Sequence, residues 1–178
     1  MPSPFLIDLI DHKRRVGLYI QKVANALFGR AVVHDNSKFL PEEYEPYEQA
    51  FPELQKYAYG TPEFKAALQK IKPAVQHHYE YNSHHPEYHK NGISDMNLLD
   101  MVEMVCDWIA ASERSQKNIF EGLEMNKERF KISDQLYCII KNTVIELTGK
   151  DDKFQPDPNT LYPDMLLSGP YPEKAKHD

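Results

Sequence analysis

No stretch of this sequence approaches the ~18 consecutive apolar residues that a membrane span requires. The N-terminal segment MPSPFLIDLIDHKRR carries Asp8 and Asp11 and no long apolar run, which is not the pattern of a signal peptide. Both readings predict a cytoplasmic protein. Cysteine is scarce: the two present, Cys106 and Cys138, are too few for a disulfide framework. Each falls inside an apolar helical pattern, which predicts buried core thiols. Basic charge is also short. Lysine and arginine number 21 against 27 acidic residues, giving −6, so an extended nucleic-acid surface is not expected. Internal repeats and strand patterns of useful length are missing too.

What is present is helical periodicity and histidine. Hydrophobic residues make up 41% of 178 residues, enough for one all-α domain over residues 1–150. Phe5, Leu9, His12, Val16, Tyr19, Val23 and Leu27 recur at helical spacing, which predicts one inward face with His12 on it. Residues 41–58 are rich in Glu and Tyr and are interrupted by Pro46 and Pro52, so they read as weakly helical. Gly60-Thr61-Pro62-Glu63 restarts a helix, with Pro73 as a kink or second restart. Phe64, Leu68, Ile71, Val75 and His78 share its inner face.

Asn82 to Glu87 reads as a turn, and Ser94 as the cap of an apolar helix running to about Ser115. Along that helix Asp100, Glu103 and Asp107 form a polar stripe, and buried carboxylates need a partner. A last helix from about Asp134 to Leu147 turns Leu136, Ile139, Ile140, Val144 and Leu147 inward. Residues 151–178 hold five prolines and read as an extended or partly disordered tail.

The histidines are unevenly placed. Eight occur in the chain, five of them between His77 and His89. Imidazole and carboxylate are the ligands of zinc, manganese, iron and related ions. The order His12, His34-Asp35, His77-His78, Asp107 is the trace that a metal site dispersed over several helices would leave.

These positions resemble the signature of the HD-domain superfamily, an all-helical family of metal-dependent phosphohydrolases. That signature is a helix-borne His, a His-Asp pair and a distant helix-borne Asp, places held here by His12, His34-Asp35 and Asp107. His34-Asp35-Asn36-Ser37-Lys38 is similar to the H-D-x-x-K segment of the branch that hydrolyses cyclic dinucleotides, and Asp8 holds the place of a further ligand one turn before the first His. That branch also carries a His-His pair on a helix just under thirty residues before the last Asp, and His78 precedes Asp107 by 29. Two features differ: residues 36–76 contain no His, and Ser83-His84-His85-Pro86-Glu87 stands where that branch has Gly-Tyr-Pro. A nearer similarity is to a group of small bacterial and phage proteins with His-Asp-x-Ser-Lys, Asn-x-His-His-Pro-Glu and Cys-Asp-Trp segments.

The resemblance implies an HD-like helical bundle and one or two divalent ions (Mn, Fe, Zn, Co or Mg). His12, His34, Asp35 and Asp107 are the expected ligands, with His77 and His78 beside a second ion. The implied reaction is hydrolysis of a phosphate ester of a nucleotide or a similar small phosphorylated molecule. Asp35, Lys38 and His78 would be catalytic; Lys38, Asn82, His84 and His85 would contact substrate, and Glu103 would orient a ligand histidine. A di-iron oxygenase and a non-catalytic metal- or nucleotide-binding protein are the alternatives, and a homo-oligomer is compatible with all three.

Overall fold

Seven α-helices and three short 3-10 turns make up the computed structural model, which describes residues 2–57, 60–151 and 153. No strand occurs among them, as the periodicity predicts. The tail from 154 onward lies outside the described residues, so the expectation for it is left there.

Helix α1 spans Pro4–Val33; Ser3 accepts a hydrogen bond from Leu6 N at 3.2 Å, and Pro4 opens the first turn. It ends where Asp35 takes a left-handed conformation, φ 57°, which Asp tolerates better than most residues. A 3-10 turn, Asn36–Phe39, leads into α2, Pro41–Leu54. This helix is continuous through Pro46 and Pro52, contrary to the interruption expected from those prolines. Packing decides the matter: Glu43, Tyr47, Ala50 and Leu54 form one face against α3 and α4. Helices α3, Pro62–Lys70, and α4, Lys72–Tyr81, are separated at Ile71, so Pro73 does open a new helix.

After the turns Pro86–Tyr88 and Gly92–Asp95 comes α5, Leu98–Arg114. Its cap is Asn97, in a reciprocal capping box with Asp100, and not Ser94, which lies in the preceding turn. Helix α6, Ile119–Phe130, has no counterpart in the sequence reading. Its cap is Asn118, and Gly122 and five charged residues dilute its apolar face. Helix α7, Asp134–Thr148, is capped by Ser133 and stopped by Gly149 at φ 65°.

The main core lies between α5, α6 and α7, around Met104, Val105, Phe120, Leu123, Ile140 and Val144. A smaller one, Ala50, Ile71 and Ala74, joins α2, α3 and α4. Cys106 and Cys138 are both exposed, correcting the expectation of buried thiols, because the neighbouring residues Val105 and Tyr137 take the inward positions. Ile139 and Leu147 likewise face outward, since Tyr137, Ile140 and Val144 define the inner face of α7.

Helix α1 departs most from expectation. None of its residues is buried, and His12 is exposed. The reason lies in how α1 meets α5. Arg30 pairs with Asp100 and Glu103, and His34 with Glu103 and Asp107, so the two helices run in the same direction from that point. Helix α5 begins at Leu98, level with Arg30, and supplies nothing to cover the earlier turns of α1. No helix among the described residues is long and apolar enough to cross a membrane.

Candidate metal centre

Four segments meet where the two cores join: the end of α1, the turn after it, the end of α4 with its following turn, and one face of α5. Asp35 is at the centre. Its Oδ2 accepts from Lys38 Nζ at 2.6 Å. Its Oδ1 stands 3.4 Å from His78 Nε2 and 3.5 Å from His84 Nε2. His85 Nε2 lies 2.9 Å from His78 Nε2. On the other side of Asp35, His34 Nε2 is 3.6 Å from Oδ2 and 3.8 Å from Asp107 Oδ1.

The rings are oriented from behind. Glu43, fully buried on α2, reaches His77 Nδ1 at 2.7 Å with one oxygen and His78 Nδ1 at 2.9 Å with the other. A carboxylate only accepts, so each Nδ1 donates and His78 Nε2 keeps its lone pair. Asn82, four residues after His78, donates to the His78 carbonyl at 2.7 Å and to Ser37 Oγ at 2.7 Å, closing the end of α4 onto the His-Asp turn. Glu103 Oε1 lies 2.9 Å from His34 Nδ1 and 3.3 Å from His84 Nδ1, which favours the proton on Nδ1 in both rings. Arg30 holds Glu103 at 2.8 Å and Asp100 at 2.8 Å, and Ser83 donates to Asp100 at 2.8 Å. The polar stripe of α5 thus finds its partner in Arg30; Arg14 and Arg15 pair with Asp11 instead.

Lone pairs therefore face one another. Asp35 Oδ1 and His84 Nε2 are buried and have no hydrogen-bond partner, and they are aimed at each other. His84 is 2% exposed. Buried polar atoms without partners are rare and costly. Asp35, His78, His84 and His85 offer ligand atoms all within 4.8 Å of one another; so do His34, Asp35 and Asp107, and His34, His84 and Glu103. The set is imidazole and carboxylate without thiolate, which suits borderline and hard divalent ions.

Electrostatics separates the histidines. His34 is pushed up to about 9, chiefly by the Asp107 carboxylate with help from Glu103 and Asp35, against the opposing effect of burial. Burial and the neighbouring His84 and His78 hold His85 neutral, down to about 3. Burial also lowers His78 and, with the positive His34 beside it, His84. Burial works against ionisation of Asp35, but Lys38 and His34 outweigh it and keep the carboxyl low. Three neutral imidazoles and ionised carboxylates are the protonation states in which these groups ligate metals.

Six of the predicted positions come together: His34, Asp35, His78, His84, His85 and Asp107. Lys38 sits on Asp35 as expected. His12 does not join them. It lies 22 residues before His34 on one unbroken helix, ~33 Å away at 1.5 Å per residue, and it is exposed. Asp8 lies further off on the same helix. His77 turns away from the cluster, bound to Glu43 and stacked on Tyr81 at 4.3 Å, because adjacent helical residues point ~100° apart. Asn82 and His84 are buried within the framework and the cluster.

Glu43 was not legible as a site residue. Its signal is the four-three-four spacing Glu43, Tyr47, Ala50, Leu54, obscured by the acids and prolines around it. A depression of about 690 Å³ lies elsewhere: Met96, Met101, Phe130 and Leu136 help line it and no histidine does. No curated protein and no solved structure matches the chain. Residues 1–146 match the model of a family of unknown function (DUF5662), and the chain belongs to that family.

Proposed function

We propose that the protein binds one or two divalent cations between His34, Asp35, His78, His84, His85 and Asp107 and hydrolyses a phosphate ester of a nucleotide or similar small molecule. The observation that carries this reading is the pair Asp35 Oδ1 and His84 Nε2, two buried polar atoms 3.5 Å apart, neither with a hydrogen-bond partner. A cation is the simplest group that satisfies both. Asp35 belongs to two of the three ligand groupings and would be shared between neighbouring ions.

A bound divalent ion supplies a water of lowered pKa and neutralises charge developing on the phosphate. The chain's own residues supply the rest. Glu43 and Glu103 fix the imidazole orientations, so the donor atoms are set before substrate arrives. Lys38, its side chain 43% exposed, is the mobile cation of the site and can leave Asp35 to hold a phosphate oxygen. Asp107 and His34, each 29% exposed, mark the open side from which substrate enters. As water adds to phosphorus, the ester oxygen departs into this open side. The similarity of the His34-Asp35 segment to HD-domain phosphohydrolases supports the same reaction class.

The test combines elemental analysis of the purified protein with phosphate release from a nucleotide panel in Mn²⁺, Mg²⁺, Fe²⁺ or Co²⁺. Bound metal and release from at least one ester are expected. A protein that takes up no divalent ion overturns the site. Bound iron with oxygen consumption and no phosphate release overturns the hydrolase reading in favour of an oxygenase.

A further inference from the structure

Of the 24 large hydrophobic side chains exposed among the described residues, 13 lie on α1, far more than scattered surface residues would give. The face carrying Phe5, Leu9, His12, Val16, Tyr19 and Val23 continues without a break into Leu27, Arg30 and His34. Arg30 and His34 pair with α5, Leu27 is half-buried, and the first six are exposed. A shallow groove lined by His12, Arg15, Val16, Tyr19, Ile20 and Val23 runs along this face.

We propose that this face is the interface with a second copy of the chain, α1 packed antiparallel on α1 about a two-fold axis near Val16. Two features fix the occupant and its direction. The stripe is self-complementary: an axis at Val16 sets Phe5 of one copy opposite Leu27 of the other, Leu9 opposite Val23, and Val16 opposite itself. Charge is ordered along the flank of the stripe. Asp8 and Asp11 come first, Arg15 and Lys22 later, so antiparallel packing brings Asp8 of each copy within reach of Lys22 of the other. Asp11 holds Arg14 and Arg15 of its own helix, at 3.0 and 2.6 Å. A parallel second copy would instead set the two acidic ends side by side. From Phe5 to Leu27 the face is ~33 Å long and about one helix diameter, ~10 Å, wide, so two such faces cover ~660 Å², the size of a weak, concentration-dependent contact. A lipid surface fits less well, since the chain carries −6.

The experiment is sedimentation velocity and light scattering on the full chain. The expected particle is a dimer, twice 20.7 kDa. Val16→Glu places two carboxylates on the axis and should give a monomer with unchanged helical circular dichroism, because Val16 touches no core in the single chain. Asp8→Lys should raise the dimer dissociation constant by ~3–10-fold, and adding Lys22→Asp should restore it. A wild-type monomer at 100 µM overturns the proposal, whether hydrogen exchange then shows the stripe covered by residues 154–178 or vesicle sedimentation shows it on lipid. A dimer that survives Val16→Glu overturns it equally.

Discussion

Replacing Asp35 by Asn isolates the role of its charge. The backbone there is left-handed, φ 57°, and Asn is among the few residues that accept it, whereas Ala would add roughly 1–2 kcal/mol of strain and blur the result. Without metal the exchange removes the ion pairs to Lys38, whose side chain is 43% exposed, and to His34, so the stability change should stay within about 2 kcal/mol. With metal the outcome differs. Asp35 belongs to two of the three ligand groupings, and its loss leaves His78, His84 and His85 without a carboxylate. An ion present at a thousand times its dissociation constant stabilises the native state by about 4 kcal/mol. For a domain this size that is ~8–16 °C in Tm. Thermal melts with and without 1 mM Mn²⁺ should therefore show a shift of that order in the wild type and less than ~3 °C in Asp35→Asn. A variant that keeps the full metal-induced shift would refute the assignment of Asp35, and with it the reading of the two facing lone pairs.

Other outcomes follow from the same geometry. Glu43→Ala should weaken metal binding ~10–100-fold by releasing His78, measured by calorimetric titration, although Glu43 is not itself among the ligand groups. Metal affinity should rise with pH up to about 9, because His34 holds its proton to about 9 and the ion must displace it; a pH-independent affinity would exclude His34 as a ligand. The sign for the metal-free protein is opposite: the stability contributed by protonated His34 is complete below its unfolded pKa of ~6.5 and fades as pH rises through about 9, which denaturant melts at pH 6, 7.5 and 9 would follow. Lys38→Met should leave metal content unchanged and raise KM or lower kcat for a phosphate ester at least tenfold, since Lys38 is no ligand.

The helical class and several helix starts were legible because local signals carry them: Thr61-Pro62, Pro73 and Ser133 all act within one turn of where they stand. The site was legible in part for the same reason. His34-Asp35 and His78 were marked by residue type and helical phase. What failed was non-local. Periodicity shows that α1 has an apolar face but not what lies under it, and α5 starts too late to cover His12. Glu43 sits beneath the cluster only because α2 packs on α4, which no spacing within α2 reports. His84 and His85 read as turn residues because histidine after Ser83 is no helix signal; their burial depends on Asn82 and Ser83 fastening that turn to Ser37 and Asp100.

The ligand positions come from residues 34–35, 78–85 and 107, segments far apart in the chain. Closing such long loops precedes any reward from the contacts they allow, so this junction belongs to the last structure gained in folding and the first lost in unfolding. An ion bound there would hold together groups not yet assembled in the transition state. Its effect should then fall on the unfolding rate, lengthening the lifetime of the native chain, while the rate of refolding stays nearly unchanged.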